Sequence, residues 1–450
     1  MANQNLFSIK YIFLLLIILS ISVFSKITLF NQVYNTSPET VVQSDTRRYE
    51  EPALQFLKEG TLAIAPRSEH TTTLSVTPIY SLLIVGIYKA FGENNHHALI
   101  LAQIIISALT ILIIFLIARQ LWNTKVALIA SGLMAVEPLQ TLYSQTVLSE
   151  TLFTFFLAAS LLAFTQLLST KNYFRWALLL GIMLTLATMT RPISYYLVLC
   201  IILGLIIFKQ RIAQTWSKLL LICLLILIPF LLTTTYWKAR NESLTGVYAL
   251  NDAMSETMLY YKAKGVLMVG KSLTDDEAQI DILKRLPANF KTPKERADAE
   301  TKLAKEIILG DMGSYLKLSL NGLKAIILGP GLTSQAMFYD IENYGKSPSG
   351  SYKLWYLLLI AYGIAFMLLT YMLSAYGFFS AFKNATPQAS VIHLLMLATI
   401  FYFILISTGH TATDSRMRVP IIPIILLYAS YGAYKLFETY KKAKITTITT

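Results

Sequence analysis

About ten runs of roughly twenty apolar residues, several separated by only a few polar ones, constrain this chain more than any other feature. Runs of that length match the hydrocarbon core of a bilayer. Inside lipid the backbone must satisfy its own hydrogen bonds, which favours helices. The runs fall at 8–30, 98–118, 124–143, 151–168, 174–190, 192–208, 217–236, 354–378, 390–408 and 419–437. They predict an all-α integral membrane protein of about ten transmembrane helices joined in tight hairpins.

Composition agrees. Apolar residues make up 55% of the 450 and charged residues 14%, with a mean hydropathy of +0.56. A soluble domain carries roughly a quarter charged residues. The net charge of +13 does not point to nucleic acid, because no long basic run with interleaved aromatics stands in a soluble segment. Lys and Arg cluster instead in loops, the bias that orients membrane helices. Cys200 and Cys223 lie inside apolar runs and build no disulfide framework. Lys10 followed by Tyr11 to Phe24 has no small-x-small cleavage site, so a retained first span is expected rather than a cleaved signal.

Placing the N-terminus in the cytoplasm gathers Lys10, Arg119, Lys125, Lys171, Arg175, Lys209, Arg211, Lys383 and Lys435 to Lys444 on one side. The other side then receives 31–97, the turns near Tyr143–Ser149 and Thr190–Arg191, the large segment 237–353, and His410–Arg418. An even number of spans returns the C-terminus to the cytoplasm. The expected organisation is an N-terminal membrane module, 1–236, with its first outer loop at 31–97. An extracytoplasmic segment, 237–353, follows as a soluble cap, and then C-terminal membrane helices, 354–450. Its charge-rich part, Lys271 to Glu306, reads as amphipathic helices, and Asp275-Asp276 as a solvated helix start. A bacterial inner or plasma membrane is the expected location.

The first outer loop contains two surface helices. Arg48 to Gly60 is amphipathic at helical spacing, ends at a glycine and carries Pro52 in its expected first turn. Thr77 to Phe91 is apolar, too short to span, and opens with Pro78. Just before them, Ser44-Asp-Thr-Arg-Arg-Tyr-Glu crowds a carboxylate, two arginines and a tyrosine at the lipid boundary, where charge is costly unless used.

Asp45-Thr-Arg-Arg-Tyr, then the amphipathic helix, then Thr77-Pro-Ile-Tyr before Tyr88-Lys-Ala-Phe-Gly, resembles the first outer loop of glycosyltransferase family 39. It is also similar to the bacterial enzymes that transfer aminoarabinose to lipid A. Arg48 and Tyr49 fall where those relatives have arginine and tyrosine, and Thr46 where many have a second acid. Glu150, in Tyr143-Ser-Gln-Thr-Val-Leu-Ser-Glu, matches an acidic outer turn. Arg191, in Met189-Thr-Arg-Pro, matches a basic position, and Arg416-Met-Arg-Val-Pro the opening of the last core helix. The resemblance implies a GT-C-type bundle with interfacial helices in the first outer loop, and a sugar donor linked to a polyprenyl phosphate.

The residues themselves lead to a similar chemistry. No Gly-rich phosphate loop on a strand–helix unit offers a nucleotide site. A donor held in the bilayer by its tail would present its phosphate at the interface, where arginines make bidentate contacts and stabilise the leaving charge. Asp45 is then the expected general base, deprotonating a lipid, glycan or protein acceptor as it attacks the anomeric carbon in line and inverts it. The structural alternative is that Asp45 pairs with its arginines to pin the loop. Arg48, Tyr49, Glu150, Arg191, Arg416 and Arg418 are the expected substrate-binding residues. Their alternatives are a carboxylate at a helix start for Glu150 and headgroup snorkelling for the arginines. His70, His96, His97 and His410 lie outside, with Glu69 and Asp414 nearby, and such ligands suit zinc; no spacing such as HExxH joins them, so no cofactor is expected, with a divalent metal as the minor alternative. Two other readings stay open: a polymerase or ligase of lipid-linked oligosaccharides, and a flippase or transporter of such lipids. A transporter predicts charges near the bilayer midplane or paired broken helices, and Glu137-Pro138 partly answers to that.

Overall fold

The computed structural model describes residues 9–62, 76–170, 172–212, 215–251, 253–331 and 350–449. Among them every regular element is helical. In chain order they are α1 (Ile9–Thr36), α2 (Thr46–Glu59), α3 (Pro78–Phe91), α4 (His96–Leu121), α5 (Thr124–Ala135), α6 (Pro138–Tyr143), α7 (Glu150–Ser169) and α8 (Tyr173–Thr190). Then come α9 (Leu197–Ile207), α10 (Lys209–Ile212), α11 (Trp216–Thr245), α12 (Ala253–Thr257), α13 (Lys264–Lys271), α14 (Asp275–Arg285), α15 (Pro293–Gly310) and α16 (Met312–Leu328). The chain closes with α17 (Gly350–Lys383), α18 (Pro387–Ser407) and α19 (Ile422–Thr449).

Eight helices among the described residues are long and apolar enough to cross a membrane: α1, α4, α7, α8, α11, α17, α18, and a last one running from Ser415 to Lys444. This is an integral, multi-pass membrane protein. The remaining two of the ten expected passes are shorter, at Thr124–Ala135 and Pro192–Ile207. The apolar run 124–143 is broken because Pro138 lacks an N–H and disfavours a helical residue before it. Glu137 caps the new start, accepting from the Gln140 N–H at 2.5 Å. Because successive passes alternate in direction, Thr36, His96, Glu150, Arg191, Thr245, Ser407 and Ser415 all come to the same end of the bundle.

Lipid offers no hydrophobic force between helices, so close packing of small residues holds them together. A Cβ on Gly377 of α17 would lie 2.0 Å from the Tyr428 carbonyl oxygen, and one on Gly432 of α19 would lie 2.1 Å from that of Leu373. The two glycines let these backbones touch. Gly181 of α8 does the same against Ile226 of α11, where its Cβ would sit 2.6 Å from the carbonyl oxygen.

Two elements cover the common end. α2 and α3 occupy the expected loop and pack on each other: Ser81 Oγ donates to the Tyr49 carbonyl at 2.9 Å, and the Tyr49 and Tyr80 rings meet edge to face at 5.0 Å. α2 starts at Thr46, two residues earlier than the amphipathic pattern suggests, so Pro52 falls in its second turn, not its first. Gly60, at φ +74°, ends it. The second cover is the helical cap α12–α16, which has its own core of residues such as Leu259, Val266, Ile282, Leu303 and Ile307. Asp275 and Asp276 open α14 as expected, behind a capping box of Thr274 and Glu277.

Candidate active site

The platform of the site is the turn 143–149 between α6 and α7. Val147 N–H donates to the Val41 carbonyl at 2.9 Å, and Thr46 Oγ1 donates to the Val147 carbonyl at 2.9 Å. Thr151 Oγ1 holds the Tyr143 carbonyl at 2.9 Å, and the Gln103 amide holds that of Thr146 at 2.7 Å. Tyr80 in turn donates to Gln103 Oε1 at 2.7 Å. Thr46, the residue standing where many relatives have a second acid, is thus fully buried stitching.

Asp45 is the residue before α2, yet its side chain caps nothing. The carboxylate turns instead to the start of the last helix, where Arg416 Nη1 reaches it at 2.7 Å. Arg48, one turn on, lies 4.0 Å from Asp45 and 3.7 Å from Glu256 of the cap. Glu150 opens α7 and receives both Arg191 and the Nε of Arg416 on one oxygen, Oε1. Its other oxygen is buried with no hydrogen-bond partner among the described residues. Arg191 arrives from the C-terminal end of α8, where Pro192 stops the helix. Tyr49 shares a 2.9 Å hydrogen bond with Ser149. Burial pushes its phenol pKa up, which keeps the hydroxyl protonated.

Exposure separates the two acids. The Glu150 side chain is 2% exposed and that of Asp45 36%, while Arg416 between them is 18% exposed. Glu150 is an internal anchor for two guanidinium groups. Asp45 is the partner that solvent and a ligand can reach. An arriving anion would therefore exchange with Asp45 for Arg416 and leave Glu150 in place.

Of the expected site residues, Asp45, Arg48, Tyr49, Glu150, Arg191 and Arg416 come together. Arg418 does not. Residues 415–421 wind as a 3-10 turn, and side chains two apart on a helix do not share a face. Arg418 points away and donates to the carbonyls of Ile326 at 2.8 Å, Ile327 at 3.0 Å and Gly329 at 3.0 Å, tying the cap to the last helix.

Sequence reasoning gave Ser149 and Glu256 no role and weighed Asp414 only as a neighbour of His410. Asp414 accepts the Arg416 N–H at 2.8 Å, and burial raises its pKa against the lowering pull of that bond and of the Arg416 charge. Its signal was a third charge two residues before Arg416. The histidines do not gather. His96 pairs with Glu50 at 2.6 Å, His97 contacts Asn31 at 3.3 Å, and His410 stacks on Tyr261 at 4.6 Å. Glu69 and His70 lie outside the described residues. Among the described residues no three His, Cys, Asp or Glu side chains are grouped to hold a metal ion.

Residues 75–235 match the family model for dolichyl-phosphate-mannose-protein mannosyltransferases. That stretch contains Glu150 and Arg191 but neither Asp45 nor Arg416. No curated protein matches the sequence. Among solved structures, the apo oligosaccharyltransferase of Archaeoglobus fulgidus superposes with a TM-score of 0.59 at 13% identity, covering 97% of this chain and 52% of that one. The same archaeon's AglB, bound to an inhibitory peptide and a dolichol-phosphate, gives 0.57 at 12% identity, with 98% and 52% covered. This chain spans about half the length of those enzymes. ArnT from Cupriavidus metallidurans, bound to undecaprenyl phosphate, is a looser match at 0.43 and 11% identity, covering 94% of this chain and 77% of its own. The fold is GT-C.

Proposed function

We propose that this GT-C chain is a membrane glycosyltransferase that moves a sugar from a polyprenyl-phosphate carrier to a lipid, glycan or protein acceptor on the extracytoplasmic side. The observation that carries the reading is Arg416 bridging a reachable Asp45 and a buried Glu150 at the covered end of the bundle. Donor phosphate would bind Arg416 and Arg191 and displace Asp45 from its ion pair. The freed carboxylate takes the proton from the acceptor hydroxyl or amine. That atom bonds to the anomeric carbon, the bond to the phosphate oxygen breaks with its electron pair, and the configuration inverts. The two guanidinium groups stabilise the charge on the departing phosphate, and Glu150 keeps both aimed. The loop charges support a topology with this end outside the cytoplasm and both termini inside.

Transfer is tested with purified protein and a panel of polyprenyl-phosphate sugars. Wild type is expected to turn over at least one donor, and Asp45→Asn to lose turnover while still binding it. Wild-type turnover by the mutant would remove Asp45 from the mechanism.

One observation favours a carrier flippase as the second reading. Lys26 of α1 is buried and donates to Ser107 of α4 at 2.6 Å. Lys26 lies ten residues before Thr36 and Ser107 eleven after His96, about 15 Å from the covered end, near the bilayer midplane. Carrier movement across liposomes without turnover of any donor would select that reading.

A further inference from the structure

The cap was expected to be a soluble segment, yet α16 has the surface of a helix immersed at a membrane boundary. It is 17 residues long, about 25 Å, and its circumference divides into three sectors. Leu318, Gly322 and Ile326 form a buried face. Met312, Leu316 and Leu320 form a second, and are 51%, 61% and 50% exposed. Leu323 and Ile327 lie half-buried on that same side. The third sector carries Lys317, Asn321 and Lys324, all exposed, and the helix contains no acid. A water-facing cap helix has no reason to expose an apolar row beside a lysine row.

Its contacts fix how it lies. Near one end, Tyr315 rests against Gly409, two residues past the end of the α18 pass. In the middle, Gly322 sits on Thr413. At the other end the carbonyls of Ile326 and Ile327 accept from Arg418, at the start of the last pass, and Ile327 also accepts from Tyr371 of α17 at 2.9 Å. Gly409 and Arg418 mark where membrane passes end and begin, so α16 runs beside the boundary, with its Ile327 end reaching Tyr371 inside the α17 pass.

We propose that α16 is an interfacial helix. Met312, Leu316 and Leu320 enter the acyl region of the outer leaflet, and Lys317 and Lys324 bind anionic lipid headgroups. Apolar burial on one side and lysines on the other are what such helices use. Because Gly322 bears on the loop that carries Asp414 and Arg416, the leaflet sets the height of those two residues. This inference does not depend on the reaction proposed above.

Single-cysteine variants of the full chain, in a C200A/C223A background, test it. A fluorophore at L316C, L320C, N321C or K284C is reconstituted in nanodiscs of phosphatidylcholine with or without phosphatidylglycerol. L316C and L320C are expected to be quenched by brominated acyl chains and shielded from iodide, while N321C and K284C respond to iodide alone. Native mass spectrometry is expected to find retained phosphatidylglycerol, with roughly a fivefold loss per lysine in K317Q and K324Q. Iodide quenching at L316C, or cross-links there between two copies, would overturn the membrane seat. Unchanged lipid retention in the double variant K317Q/K324Q would overturn the headgroup site.

Discussion

Arg416 is the residue on which the site turns, because its fork reaches two carboxylates with different nitrogens. Lysine would keep the charge but not the fork. Arg416→Lys is expected to lower turnover on the order of a hundredfold, with a smaller effect on thermal stability. Steady-state kinetics beside a melting curve in detergent checks this, and a matching loss in both would make Arg416 structural. Single residues were the most legible part of the sequence. Asp45, Glu150, Arg191 and Arg416 are charges at ends of apolar runs, and charge there is informative on its own. Arg418 looked equivalent to Arg416 because composition does not record which way a tight turn points each side chain. The stitching by Thr46 and Ser149 was invisible, since a hydroxyl finds a partner nearly anywhere.

Between elements, one seam joins the loop after α18 to the cap. His410 stacks on Tyr261 in a π-helical turn, Met258–Ala263, and the Thr411 N–H donates to the Tyr261 carbonyl at 3.1 Å. Burial, helped by the nearby Lys262 charge, lowers the His410 pKa from 6.5 to about 4. The folded state therefore favours neutral His410. The stability this gives is complete above pH 6.5 and drains away as pH falls towards 4, by at most about 3 kcal/mol. Hydrogen-exchange protection at 258–263 and 408–414, corrected for the intrinsic rate at each pH, is expected to fall between pH 7 and 5, and His410→Gln to flatten that dependence. An equal slope in the variant would assign the effect to other groups. Elements were legible where apolar length or a proline marks them, as at Pro78. Hydropathy averaged over twenty residues missed the break at Glu137, and it could not show that Gly377 and Gly432 face each other.

Across the whole molecule, strict alternation of passes brings every charged corner of the site to one end, under one cover. Loop charges predict that this end faces outward. In intact cells, a membrane-impermeant thiol reagent is expected to label a cysteine introduced at Glu256, beside Arg48, and to spare one introduced at Lys441. The reverse pattern would invert the topology and place the site against the cytoplasm. The lie of α16 was beyond sequence reading, because the segment's charge-rich half dominated its average while α16 carried the apolar surface.

The ion pair between Asp45 and Arg416 joins residues 371 positions apart. During synthesis, a nascent chain inserted through α18 still has Asp45 unclamped and Glu150 held by Arg191 alone. The helix opened by Ser415 delivers the missing guanidinium, so the site is assembled only when that helix joins the bundle. A chain cut before that helix would keep seven of the eight long spans of the described residues and yet, on the glycosyl-transfer proposal, be inert.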